Sequence, residues 1–168
     1  MSLLKKFRLA GGLIMLLWGV TNLGAAVAVN DPMPDLRSFG LEGEIPDLEG
    51  KVVLIDIWAS WCAPCKASFP AFDAMHEAKV DDGLVILAVS VDRKAKDYES
   101  FLKRLKPKFA TVRDGNQKLV AELNPPAMPT SFIFGRDGKL RSVHRGFHGD
   151  STVEELSLEI ETLLKEDA

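Results

Sequence analysis

Two cysteines separated by two residues are the clearest chemical signal in this sequence of 168 residues. Cys62 and Cys65 stand in the segment Trp-Cys-Ala-Pro-Cys-Lys, shortly after a run of apolar residues. The spacing brings the second cysteine back within one helical turn of the first, so the two sulfurs can bond with each other. A mixed disulfide formed on Cys62 can then be resolved by Cys65. The pair therefore predicts dithiol–disulfide exchange, with no cofactor other than the cysteine pair itself.

The predicted position of the pair is the point where a buried strand turns into a helix. Free N–H groups and the positive end of the helix dipole face the first cysteine there. Both favour a thiolate, and cysteines in such a setting can have pKa values lowered to about 7 or below. Pro64 has no N–H to lose at a first-turn position and stiffens the loop. Cys62 is therefore predicted to be the more exposed and more acidic thiol.

Two other uses of the cysteine pair stay open. A structural disulfide suits an oxidising compartment, although a two-residue loop closes little chain entropy and so stabilises a fold weakly. A zinc site would combine the pair with His144 and His148. The gap between the cysteines and the histidines is far longer than in a zinc finger, and the two pairs fall in unlike elements. Redox chemistry without a metal is the favoured interpretation.

Asp56 lies six residues before Cys62, inside an apolar run that is predicted to be buried. Burial raises the pKa of a carboxyl group, because it disfavours the charged form. A carboxyl group that titrates near neutrality can accept the Cys65 proton during resolution. The alternative is a structural aspartate at the end of the strand. Asp56 is thus the third candidate catalytic residue.

The elements that must position these residues follow from the pattern of apolar residues. Strands are predicted at 51–58, 84–91, 131–134 and 140–144. Helices are predicted at 63–80, 95–105 and 117–123. A short strand is also expected at 36–41, and Ser151 is expected to cap a last helix with Glu154 at the capping-box position. The order predicts an α/β domain with a mixed central sheet flanked by helices.

The first 28 residues have the features of a targeting segment. Three basic residues precede an apolar run, and Ala-Val-Ala at 26–28 matches the small-x-small pattern that signal peptidase reads. An uncleaved anchor over residues 9–29 remains an alternative, because about 20 apolar residues can span a bilayer. We expect residues 29–35 to be a linker and 36–168 the folded domain, in the periplasm or otherwise outside the cytoplasm.

Charge argues against one class of partner. Apart from the three basic residues of the leader, the chain carries 18 Lys and Arg against 24 Asp and Glu. A nucleic-acid-binding surface would instead carry an excess of positive charge. No nucleic-acid partner is predicted.

Residues 56–66, Asp-Ile-Trp-Ala-Ser-Trp-Cys-Ala-Pro-Cys-Lys, resemble the active-site segment of thioredoxins. With the leader, the chain resembles most closely the TlpA/ResA/DsbE group of extracytoplasmic thioredoxin-like proteins. Pro70 matches the kinking proline of that family, Met128-Pro129-Thr130 its cis-proline loop, and Gly146 a glycine near the dithiol. The resemblance implies a thioredoxin-like fold over about 36–166, with a TlpA-type insertion at about 93–112.

The resemblance also implies a partner and a direction of exchange. It points to a reductant of protein disulfides that is recharged by a membrane electron donor. Its targets would be the haem-site cysteines of apocytochrome c or the copper-site cysteines of respiratory proteins. The opposite direction, disulfide formation, stays open. The residues expected to contact the substrate are Trp61, Pro64, Met128, Pro129 and Gly146.

Trp58 and Trp61 are both expected to pack around the dithiol and to shape a docking surface. Two other classes of protein fit less well. A peroxidase of the related peroxiredoxin fold would need a Thr-x-x-Cys setting, which is absent. Copper-binding chaperones of related fold use a three-residue spacing between cysteines and a distant histidine, whereas the spacing here is two residues.

Three positions depart from the pattern of the resembled family. Asp56 stands where many TlpA-like proteins have asparagine, although ordinary thioredoxins have a buried aspartate there. Ser68 replaces the glutamate of ResA-like proteins, and Met128 replaces a threonine, valine or isoleucine. These differences argue against transferring the substrate of any one relative to this chain.

Overall fold

The computed structural model describes residues 27–166. The predicted signal peptide or anchor therefore falls almost entirely outside the described residues. Over the described part the chain forms, in order, a turn of 3-10 helix at Leu36–Phe39, β1 at Val52–Trp58, α1 at Ala63–Lys79, β2 at Leu84–Ser90, α2 at Ala95–Leu105, β3 at Ala110–Arg113, α3 at Lys118–Leu123, β4 at Thr130–Phe134, β5 at Leu140–Arg145 and α4 at Asp150–Leu164.

The five strands form one mixed sheet in the order β3-β2-β1-β4-β5. β1 and β2 are parallel, as are β2 and β3, whereas β4 runs antiparallel to both of its neighbours. Every residue of the central strand β1 is buried, because helices cover the sheet and strands flank β1 on both sides. This is why β1 reads as a continuous apolar run broken only by one aspartate. The predicted α/β class with a mixed sheet is confirmed.

An aromatic cluster packs α1 and α2 against the end of β1. The ring of Trp58 lies 4.9 Å from that of Phe69 and 4.4 Å from that of Phe101, measured between centroids. Phe109 extends the cluster, with its ring 5.2 Å from Phe69. Trp58 is fully buried. The expectation that it shapes a docking surface is therefore wrong, since its large apolar surface is used in the core.

Two predicted elements differ in the structure. The strand expected at 36–41 is a turn of 3-10 helix, because Asp35 caps it by accepting a hydrogen bond from the Arg37 N–H at 3.1 Å. Strand β3 was not predicted. It is only four residues long, and it ends in a buried arginine, Arg113, whose charge conceals the strand pattern in the sequence. Glu42, which forms an isolated antiparallel bridge with Arg113, supplies the ion pair that allows this burial.

The start of α4 also differs from the prediction. The helix begins at Asp150, and Gly149 is its N-cap, with a φ of 71° that favours glycine. Ser151 and Glu154 therefore lie inside the helix and form no capping box. Thr152 contributes instead, since its hydroxyl accepts a hydrogen bond from the His148 N–H at 3.0 Å.

The segment expected to be a linker runs along the β4–β5 hairpin. The Asn30 N–H donates to the Leu140 carbonyl at 2.8 Å, and the Leu140 N–H donates to the Asp31 carbonyl at 2.9 Å. The Met33 N–H donates to the Gly138 carbonyl at 2.8 Å. The path is extended, as the prolines at 32 and 34 indicate, while the domain boundary at residue 36 stays a prediction. No helix within residues 27–166 is long and apolar enough to cross a membrane.

Candidate active site at the start of helix α1

Cys62 and Cys65 are joined by a disulfide bond at the N-terminal end of α1. Cys62 is the N-cap residue, and its Sγ accepts a hydrogen bond from the Cys65 N–H at 3.2 Å. Ala63 and Pro64 occupy the first two helical positions, where a proline disrupts no intrahelical hydrogen bond. Partial positive charge from the helix terminus is thus directed at the Cys62 sulfur. This is the position that the sequence predicted for the pair.

The two cysteines differ in exposure. Cys62 keeps 5% of its surface exposed, whereas Cys65 is fully buried. Trp61, immediately before Cys62, is 69% exposed and is the most exposed large apolar side chain among the described residues. The predicted order of exposure of the two thiols is confirmed. The greater acidity of Cys62 stays a prediction.

The Met128–Pro129 peptide bond is cis, as predicted. Thr130, the next residue, pairs with Ile57 near the end of β1, so this loop lies at the same end of the sheet as the dithiol. The Pro129 carbonyl accepts a hydrogen bond from the Gly146 N–H at 2.8 Å. Gly146 has a φ of 78°, which a residue with a side chain adopts at a cost. The structure thus joins Pro129 and Gly146, which are distant in sequence, at the edge of the site.

Asp56 is fully buried in β1. Its Oδ1 accepts a hydrogen bond from the Ser131 hydroxyl at 2.8 Å, and Oδ2 has no hydrogen-bond partner among the described protein groups. Burial raises the pKa of Asp56 from 3.8 to about 7, and the hydrogen bond from Ser131 opposes part of that rise. The predicted burial is confirmed. The role of Asp56 as a proton acceptor stays a prediction.

Asp92 is hydrogen-bonded to the loop before Cys62, and the sequence pattern did not predict this contact. It lies just after β2, is almost fully buried, and accepts hydrogen bonds from the Ser60 N–H and hydroxyl and from the Ser90 hydroxyl. Asp92 thereby fixes the loop that leads into Cys62. The only signal in the sequence was an aspartate directly after an apolar strand, and nothing there pointed to Ser60.

A surface cavity of about 280 Å³ lies beside Trp61. Its lining combines the indole with the chain that leaves β2 and the first turn of α2. The lining residues are Trp61, Val91, Asp92, Arg93, Lys94, Asp97 and Gln117. The exposed Trp61 side chain therefore lies beside a concave surface that carries both acidic and basic side chains.

The histidines considered for a zinc site have other partners. His144 Nε2 lies 2.7 Å from Glu159 Oε2 on α4, and His148 packs close to the backbone of Gly146. Within residues 27–166, no three His, Cys, Asp or Glu side chains are grouped so that they could hold a metal ion. The two cysteines are bonded to each other, so the proposed four-ligand set is not assembled.

Comparison with known proteins agrees with this site. A family model described as Redoxin matches residues 28–157. The chain belongs to the Redoxin family.

Individual relatives give a finer placement within the family. The chain is 31% identical over 126 residues to the thiol-disulfide oxidoreductase ResA of Bacillus anthracis, covering 73% of this chain and 71% of the relative. It is 28% identical over 141 residues to ResA of Geobacillus thermodenitrificans, covering 82% and 79%. A crystal structure of a putative thiol:disulfide interchange protein DsbE from Chlorobium tepidum superposes with a TM-score of 0.77 at 33% identity, covering 83% of this chain and 99% of that one.

These likenesses confirm a thioredoxin-like fold and a TlpA/ResA/DsbE-type protein. The enzyme is a thiol–disulfide oxidoreductase, and its cysteine pair is the disulfide seen in the structure. The insertion expected at 93–112 contains α2 and most of β3, which places it at the edge of the sheet next to β2.

Proposed function

We propose that this oxidoreductase reduces disulfide bonds of partner proteins outside the cytoplasm, with Cys62 as the attacking and Cys65 as the resolving thiol. One observation carries the proposal. Cys62 caps helix α1 and keeps 5% of its surface exposed, whereas Cys65 is fully buried. A partner sulfur can reach only the first thiol, and the second can react only with the first.

The exchange takes two steps. The Cys62 thiolate attacks one sulfur of the partner disulfide, and the other partner sulfur leaves as a thiolate that takes up a proton. Cys65 then gives its proton to the Asp56 carboxylate and attacks the Cys62 sulfur, which releases the second partner thiolate. Two electrons pass to the partner, and the Cys62–Cys65 disulfide remains. No cofactor beyond this disulfide takes part.

The partner would bind across the exposed edge of the site. Trp61 supplies an exposed apolar surface directly before the attacking thiol, and Pro64 is exposed in the first turn of α1. On the other side, Met128, Pro129 and Gly146 present backbone at the same end of the sheet. An extended partner segment would lie between these two sides, with its disulfide over Cys62.

The leader and the likeness to ResA and DsbE proteins support a more specific role. The protein would act in the periplasm or an equivalent compartment, either free or held by residues 9–29. There it would reduce haem-site cysteines of apocytochrome c or copper-site cysteines, and a membrane electron donor would return Cys62–Cys65 to the dithiol form. The reverse direction would make the protein a disulfide-forming oxidant.

Trapping of the mixed disulfide tests this function. In Cys65→Ala, the partner should remain attached to Cys62, because the resolving thiol is gone. Partners released from this variant by a reductant, and absent from the matched control Cys62→Ala/Cys65→Ala, would be the substrates. Failure of Cys65→Ala to retain any protein through Cys62 would contradict the proposal.

The direction of exchange needs a separate measurement. Alkylation of the free thiols in whole cells, before lysis, gives the fraction of the protein in the dithiol form. A reductant should be mainly in the dithiol form while its electron donor is active. A population that stays in the disulfide form under those conditions would indicate an oxidant instead.

A further inference from the structure

Asp56 and Ser131 stand directly opposite each other in the antiparallel pairing of β1 and β4. Both residues are buried, and the Ser131 hydroxyl donates to Asp56 Oδ1 at 2.8 Å. The second carboxylate oxygen, Oδ2, is buried as well but has no hydrogen-bond partner among the described protein groups. The two oxygens of one carboxyl group are therefore in different settings.

The elements packed around Asp56 bring few charges close to it. β2 and β4 contain no charged residue, and the titratable residue on the buried face of α1 is Cys65. The buried face of α4 consists of Thr152, Leu156, Ile160 and Leu163. On β5, His144 pairs with Ser131 and lies against Glu159, with Glu155 also near its ring. Ser131 thus stands between Asp56 and the His144–Glu159 hydrogen bond along the sheet.

We propose that Ser131 is a positioning residue, which holds Asp56 by Oδ1 and leaves Oδ2 as the oxygen that exchanges the Cys65 proton. The inference rests on the proposed role of Asp56 as proton acceptor. A hydroxyl that donates to a carboxylate favours its ionised form. Without that donor, burial would keep the Asp56 carboxyl group protonated up to a higher pH. A protonated carboxyl group cannot accept the Cys65 proton.

The first test is a titration of the Asp56 carboxyl carbon by NMR in the oxidised protein, in which Cys62 and Cys65 do not titrate. The signal is assigned by its loss in Asp56→Asn. In Ser131→Ala the midpoint should move up by about one on the pH scale, because one hydrogen bond to the charged form is lost. Ser131→Thr keeps a hydroxyl and should titrate close to the wild type. His144→Gln should leave the midpoint in place if Ser131, and not the neighbouring His144–Glu159 contact, sets it.

The second test is the rate of resolution of the mixed disulfide by stopped flow between pH 6 and 9. If the Asp56 midpoint rises by about one pH unit, the ionised fraction of Asp56 at pH 7 falls about fivefold. The resolution rate of Ser131→Ala should then fall by a similar factor at pH 7 and recover at higher pH. Ser131→Thr should restore the rate. In an Asp56→Asn background, Ser131→Ala should have no further effect, because the two residues act in series.

The outcomes distinguish the positioning role of Ser131 from the proton-acceptor role of Asp56. If Ser131→Ala has the wild-type titration midpoint and pH profile while Asp56→Asn slows resolution, Ser131 has no positioning role but Asp56 keeps its own. If Asp56→Asn resolves at the wild-type rate over the whole range, the proton-acceptor role is wrong and the inference falls with it. If Ser131→Ala unfolds, the matched pair Ser131→Thr and Ser131→Val decides instead. The two side chains have the same shape and only valine lacks the hydroxyl, so the midpoint should rise in Ser131→Val alone, and equal midpoints would overturn the inference.

Discussion

The carboxylate of Asp92 accepts hydrogen bonds from both the backbone N–H and the hydroxyl of Ser60, each at 3.0 Å. Ser60 lies two residues before Cys62, so the end of β2 is tied to the loop that presents the attacking thiol. The Ser90 hydroxyl donates to the same carboxylate at 2.9 Å. Three donors thus converge on one buried acceptor.

Replacement of Asp92 by alanine should destabilise the oxidised protein. The three donors would lose their common acceptor in a buried setting, and the expected loss in the free energy of unfolding is about 2–4 kcal/mol. Urea unfolding measures it. The control Ser60→Ala removes only the hydroxyl bond and should lose about 1 kcal/mol. Equal stability of Asp92→Ala and the wild type would show that Asp92 does not hold this loop.

Asp56→Asn should slow the second step of exchange more than the first. Asparagine has a similar shape but cannot accept the Cys65 proton, whereas the Cys62 thiolate is favoured by the end of α1. The loss in the resolution rate should be about tenfold or more near neutral pH, within the range usual for a general base. Stopped-flow measurement of mixed-disulfide formation and decay separates the two steps. An unchanged decay rate from pH 6 to 8 would make Asp56 structural.

The same substitution should change how stability depends on pH. Because the pKa of Asp56 is about 7 in the folded protein and 3.8 in its ordinary state, the unfolded chain releases this proton first as pH rises. The carboxyl group therefore destabilises the fold most above pH 7. Between pH 3.8 and about 7 the free energy of unfolding should fall by about 4 kcal/mol. Urea unfolding of oxidised Asp56→Asn should show a gain over the wild type that grows from pH 4.5 to pH 8. Parallel curves would contradict the raised pKa.

Alkylation of the reduced protein should modify Cys62 before Cys65. Cys62 lies at the positive end of α1 and keeps 5% of its surface exposed, while Cys65 is fully buried. The rate of labelling against pH, followed by peptide mass spectrometry, gives the apparent pKa of the first thiol, which we expect below the usual value of about 8.5. Cys65→Ala should keep that rate profile and Cys62→Ala should lose it. Faster labelling of Cys65 would reverse the two roles.

Trp61→Ala should impair exchange with protein disulfides without affecting stability. The side chain is 69% exposed, so its removal should change the free energy of unfolding by no more than about 0.5 kcal/mol. The value of kcat/KM for a protein substrate should fall severalfold, and that for a small soluble disulfide should stay near the wild type. Leu158→Ala, on the exposed side of α4, is the matched control and should change neither. An equal fall in kcat/KM for both substrates would show that Trp61 affects the exchange reaction itself and not the binding of the partner protein.

The sequence by itself determined the chemistry and most of the elements. The cysteine spacing predicted exchange, and continuous apolar runs predicted β1 and β2, because strands buried on both faces need apolar residues at successive positions. Helix α2 was predicted with its observed bounds. Each of these signals is local, since the residues that carry it lie within about one element of each other.

The errors came where contacts across the chain override the local pattern. The 3-10 turn at Leu36–Phe39 has a distant partner, because its Phe39 carbonyl accepts a hydrogen bond from the Asn116 side chain at 3.0 Å. The buried Arg113 likewise depends on Glu42 and on the Asp92 carbonyl, both far from it in sequence. Gly149, rather than Ser151, is the N-cap of α4, because the chain there adopts a φ of 71° that favours glycine. Trp58 looked like part of a surface and is core, since two helices close over it.

Only the tertiary structure decided how the catalytic candidates are held. Ser131 and Asp56 are 75 residues apart, and Asp92 and Ser60 are 32 apart. Their hydrogen bonds arise from the pairing of β1 with β4 and β2, which brings side chains from distant segments to one end of the sheet. A hydrogen bond needs its donor and acceptor within about 3 Å, and residue type alone does not encode that distance. The sequence therefore predicted that Asp56 is buried, while the strand pairing decided which of its oxygens is held by Ser131.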